Sequence, residues 1–218
     1  MTKLFTITEH KPKIFLMKFK HQYDMCMHFL RFSEFVETPS KDFKGKPFKI
    51  LDFMRWYALN QGGGIFSYPE DWGGFNCTSE SIQRTIDAGI VDFNDYDQTM
   101  VGIYNDCKTK YDKFALIGTS GHGQSTKHEV AHGIFYINDE YREKAIELVA
   151  SLPKEVSKKI NCTLKKMGYN VDVLVDETNA YLSTGYISLC EWDNELQYDL
   201  IKLSKPFTNL YKEYSKKV

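Results

Sequence analysis

The chain has 218 residues, 42% hydrophobic and 15% aromatic, enough apolar side chain to bury a substantial core in one domain with an N-terminal lobe over roughly residues 1–110. A formal net charge of -1 excludes the strongly basic face a nucleic-acid-binding domain needs, and no apolar run approaches the length of a membrane span. The five cysteines form no C-x-x-C pair, and the charged N-terminus, interrupted by Pro12, lacks the apolar core of a signal peptide; free thiols and residence in the reducing cytoplasm are expected, with unconventional export left open.

Residues 4–8 and 14–19 are β-prone runs on either side of Pro12 and predict a hairpin. Helices are predicted over 23–36 and 48–59, the first bounded by Thr38-Pro39-Ser40 and the second by Gln61 and the glycines that follow it. Cys26, Phe29, Leu30 and Phe32 give the first a packing face; Ile50, Phe53, Met54 and Tyr57 give one to the second. The stretch 66–76, FSYPEDWGGFN, reads as an Ω-type loop that packs its own rings against the core, with a substrate-contacting surface as the alternative. Helices over 79–88 and 96–110 then lead to a strand over 113–118.

A metal-binding pattern follows that strand. In the run STKHEVAHGIFYI, which starts at Ser125, Val130, Ile134 and Ile137 recur at helical spacing, with Ala131 and Phe135 beside them. Ser125 or Thr126 is the expected N-cap, and Glu129 sits three residues beyond Thr126, as a capping box requires. On a helix, His128 and His132 lie on one face, so both imidazoles can hold a single Zn²⁺ while Glu129 serves as the base for its water. A catalytic zinc usually takes three protein ligands. No histidine follows His132, so the third must be a carboxylate, and Glu177 in the apolar pattern VDVLVDETNAYL is the candidate. Glu140, Glu143 and Glu147 compete with it, but their spacing with Arg142 and Lys144 is that of a solvated helix face.

On HEVAH and the glutamate of DETNAY, the chain resembles the gluzincin metallopeptidases, in particular the single-domain minigluzincins, over roughly residues 114–183. The resemblance implies zinc-dependent hydrolysis of a peptide or protein substrate, with His128, His132 and Glu177 as ligands and Glu129 as general base. It also implies an α+β, zincin-like fold: a small, mostly antiparallel or mixed sheet, an active-site helix and a predominantly helical remainder that ends in a helical tail from about residue 191. Many gluzincins carry an acidic residue one turn after the ligand glutamate, where this chain has Tyr181, either a hydroxyl that orients a ligand or an ordinary helix aromatic. Asp176, adjacent to the candidate ligand, could fix a histidine tautomer, but its neighbouring position is expected to point it away around the helix. His122, Tyr136, Tyr181 and Tyr186 are candidate transition-state donors. In zincin folds the sheet edge beside the active-site helix commonly binds an extended substrate, which would give residues 114–119 that role.

Two other readings use the same residues. Gly118 to Ser125, GTSGHGQS, has the strand–loop–helix layout of a phosphate-binding loop, with Gln124 in place of its lysine, and Val171 to Glu177 would supply the metal-binding strand of such a site. A non-catalytic binding protein stabilised by zinc is the third possibility.

Overall fold

A computed structural model describes residues 4–121, 123–185, 187–192 and 196–218. It is an α+β protein whose contacts fall into two compact units, Met1–Thr126 and Lys127–Val218.

Unit 1 carries the sheet. Strands β1 (Phe5–Lys11) and β2 (Ile14–Phe19) form the predicted hairpin, reversed through Pro12 and Lys13, the latter in the left-handed region at φ 67°. Helices α1 (Gln22–Glu37) and α2 (Ile50–Asn60) follow within a residue or two of their predicted limits. The aromatic stretch is more ordered than the loop its glycines and proline suggested: it folds into a short helix α3 (Tyr68–Asp71) and a strand β3 (Gly74–Thr78). Its rings do pack inward, Tyr68 being fully buried and Phe75 stacking on Phe29 with centroids 5.4 Å apart. Helices α4 (Ser79–Asp87) and α5 (Asp95–Lys108) lead to β4 (Ala115–Thr119).

The strand order is β1-β2-β4-β3, with β4 parallel to β2 and antiparallel to β3. This corrects the substrate-edge expectation: β4 is interior, its backbone engaged on both sides, and has no edge to offer a peptide. Being central also explains why all five of its residues are buried. Gly118 in β4 lies under α1, where an added Cβ would come within 2.4 Å of the Phe29 ring, so its lack of a side chain sets how closely that helix approaches the sheet.

Arg31, Asp97 and Glu34 are sealed into unit 1. Arg31 on α1 is fully buried; Nη1 donates to the Phe48 carbonyl at 2.6 Å and to Asp92 at 3.0 Å, and Nε faces Asp97 at 3.1 Å. Asp97 also closes the capping box of α5, accepting the Asn94 backbone N–H at 2.9 Å. Glu34, on the same helix as Arg31, has its carboxyl pushed by burial from 4.5 up to about 7. A raised folded-state value means that stability is fully present below the unfolded value and is lost as pH rises through the folded one. Glu34→Gln is therefore expected to remove a decline on the order of 3 kcal/mol between about pH 4 and 8. Urea midpoints measured across that range test it, and a decline that persists in the variant would assign it to another group.

Unit 2 is helical. α6 (Gly123–Ile137) crosses into it from unit 1, followed by α7 (Asp139–Ala150), α8 (Lys154–Lys166), a 3-10 turn at Val171–Val173, α9 (Leu174–Thr184), α10 (Ile187–Trp192) and α11 (Leu196–Lys217). α6 begins ahead of Ser125 and Thr126, which therefore lie inside its first turn and not at its cap. The Asn138 side chain starts α7 by accepting the Tyr141 N–H at 2.9 Å. α9 packs against α7, α8 and α11, with Leu174 and Leu182 joining Ile160, Leu164, Leu200 and Phe207 in one apolar cluster. Among the described residues, no helix is long and apolar enough to cross a membrane.

Candidate metal centre

The site is built from two helices of unit 2. α6 places His128 and His132 one turn apart, anchored by Val130, Ala131 and Ile134, all buried on its apolar side. α9 brings in Glu177 from its first turn. The two Nε2 atoms are 3.1 Å apart, Glu177 Oε2 is 3.4 Å from His128 Nε2, and Glu177 Oε1 is 3.4 Å from His132 Nε2. The competing glutamates are elsewhere: Glu140, Glu143 and Glu147 are exposed on α7, Glu140 paired with Lys144 at 2.8 Å.

Asp176 corrects its expected direction. It turns toward the site, and His132 Nδ1–H donates to its Oδ2 at 2.9 Å. Consecutive residues on a helix are ~100° apart, yet the His132 ring lies where Asp176 meets one nitrogen and Glu177 faces the other. In the neutral form of His132 this hydrogen bond selects the Nδ1–H tautomer, which frees the Nε2 lone pair for a cation. Tyr181, one turn beyond Glu177, lays its ring against His128 with centroids 4.5 Å apart, and its hydroxyl is 3.0 Å from that of Tyr169. Tyr169 follows the α8 terminus, where no helical spacing links it to the motif, and sequence reasoning missed it. Tyr136 is half-buried on α6; His122 and Tyr186 lie outside the described residues.

Three carboxylates and two imidazoles share this pocket, and Glu129, His132 and Glu177 are all buried. Burial pushes the Glu129 and Asp176 carboxyls up, despite the nearby histidines. It would also lower His132, but the Asp176 and Glu177 carboxylates outweigh it and hold that imidazole well above its ordinary value. Glu177 goes the other way: burial would raise it, while His132, His128 and Tyr169 together keep it low. Comparison with family models, with curated proteins and with solved structures finds no match in any of the three.

The donor set fits a metal. His128, His132 and Glu177 offer ligand atoms that all lie within 4.8 Å of one another. The 3.1 Å between the two Nε2 atoms is close to the edge of roughly 3.3 Å expected of a tetrahedron with ~2.0–2.1 Å bonds, and each Nε2 lies 3.4 Å from a different oxygen of Glu177. Glu177 Oε2 is buried without a hydrogen-bond partner, as a ligand oxygen would be. The nucleotide alternative keeps its strand–loop–helix layout in β4 and α6. Its second strand is absent, since Val171–Val173 is a 3-10 turn and helix α9 follows directly.

Proposed function

We propose that the protein is a zinc-dependent hydrolase of peptide bonds, acting in the cytoplasm. The single observation that carries this reading is the convergence of His128, His132 and Glu177, whose ligand atoms lie within 4.8 Å of one another, with buried Glu129 next to His128 on the same helix and outside the ligand set. His128 and His132 would hold the ion through Nε2 and Glu177 through its carboxylate; Zn²⁺ with three protein ligands supplies Lewis acidity toward a carbonyl and toward water at its remaining position.

The chain's own groups supply the proton transfers and the alignment. Glu129 accepts a proton from the attacking water and delivers it to the leaving amine. Asp176 keeps the His132 ring oriented, and the Tyr181 ring limits how far His128 can turn. The choice of a peptide substrate rests on the resemblance of HEVAH and Glu177 to the gluzincin pattern.

Wild-type protein is expected to bind one zinc per chain. His128→Ala is expected to weaken that binding by at least ~100-fold, read by competition with a chromophoric chelator. Full zinc retention in the variant would rule out the proposed site. Tight zinc without turnover on any peptide would favour a non-catalytic, metal-stabilised binding protein.

A further inference from the structure

We propose that α2 and the lysine-rich turn before it form a docking face for the surface of an anionic bilayer, on which the protein rests without spanning it. α2 buries Phe53 and Tyr57 on one side. At ~100° per residue, the opposite side is centred on Arg55, with Leu51 one turn before it and Leu59 one turn after. Both leucines project into solvent, 72% and 73% exposed. Just past the helix, the Gly64 N–H donates to the Ala58 carbonyl at 2.7 Å, and the next residue, Ile65, is 72% exposed. Single apolar side chains on a surface are ordinary, but here two leucines share one helical stripe and an isoleucine follows at its end.

The surroundings of the stripe are cationic. Residues 41–60 carry five cations, Lys41, Lys44, Lys46, Lys49 and Arg55, against two carboxylates, Asp42 and Asp52, in a chain whose net charge is -1. Buried Phe43 fastens the turn to α2, its ring 5.5 Å from that of Phe53 and 5.6 Å from that of Trp56. The Lys46 ammonium closes the turn by donating to the Lys41 carbonyl at 2.8 Å. Apolar side chains bordered by lysines match a bilayer on both counts: the acyl boundary takes the leucines and anionic headgroups take the ammonium groups. A second copy of the chain fits less well, because a twofold axis through the stripe would set Arg55 and the lysines against their own equivalents.

The test is co-sedimentation of the full-length protein with phosphatidylcholine vesicles, with and without phosphatidylserine, alongside sedimentation velocity in the absence of vesicles. Wild type is expected to bind the phosphatidylserine vesicles more tightly than pure phosphatidylcholine ones and to lose affinity as salt rises. Leu51→Gln combined with Leu59→Gln is expected to weaken binding by at least ~10-fold. Lys41→Gln combined with Lys49→Gln is expected to weaken it by ~25-fold, at about fivefold per cation. Melting temperatures should stay unchanged, since all four side chains are exposed. No binding by wild type at low salt, or wild-type binding in either double variant, would overturn the proposal. So would a dimer that forms without vesicles and is dissolved by the leucine substitutions, which would assign the stripe to a second copy. If the leucine variant does not fold, the lysine variant decides: unchanged binding overturns the proposal, and weakened binding supports it.

Discussion

Glu129→Gln is expected to lower peptide cleavage by ~10²–10⁴-fold while zinc stays bound at wild-type affinity. Glutamine matches glutamate in size and keeps one oxygen, so the buried position between the two histidines is still filled. What it loses is the ability to take a proton. Because Glu129 stands outside the ligand set, zinc content and turnover should separate in this variant, whereas in His128→Ala both should fall together. Metal analysis alongside cleavage of an unfolded protein such as casein measures both. Cleavage that survives the substitution would show that another group accepts the proton; zinc lost with it would mean that Glu129 ligates the ion.

The largest effect on stability is expected at Arg31. Arg31→Met should destabilise the chain by ~3–5 kcal/mol, because it leaves Asp97 fully buried without its cation. Asp97 already holds its carboxyl above the ordinary range through burial, with Asn94 and Arg31 opposing that rise. Methionine also gives up the bond to the Phe48 carbonyl and the position of the guanidinium over the Phe48 and Phe93 rings, 5.6 Å from each centroid. Adding Asp97→Asn should recover part of the loss, since the amide can still accept the capping bond and carries no charge. Chemical unfolding reads both; a loss below ~1 kcal/mol in the single variant would show that water or a rearranged partner reaches Asp97.

What the sequence made legible followed helical and strand periodicity. The hairpin around Pro12, α1, α2 and α5 all carry their apolar pattern in consecutive residues. β3 was hidden because Gly74 and Asn76 are residues strands disfavour, and it forms through pairing with the distant β4. The interior position of β4 was equally out of reach, as it depends on which strands from elsewhere in the chain flank it. In the candidate site, the ligand triad could be read from spacing and elimination. Asp176 was misjudged because helix geometry fixes where a side chain starts and says little about where a flexible carboxylate ends. Tyr169 left no trace, since it joins Tyr181 across a turn that no repeat describes.

The grip of Asp176 and Glu177 on the two nitrogens of His132 has an entropic consequence. A ring held at both nitrogens cannot flip, and its rotamer is chosen when α9 docks. An ion bound as proposed would meet an imidazole that has already given up its freedom, and the ordering cost, ~0.5–1.5 kcal/mol for a side chain immobilised on binding, would fall on folding of the helical unit. For the proposed metal the site would be a socket formed in advance, its affinity set in part by the packing of α9 against its neighbours.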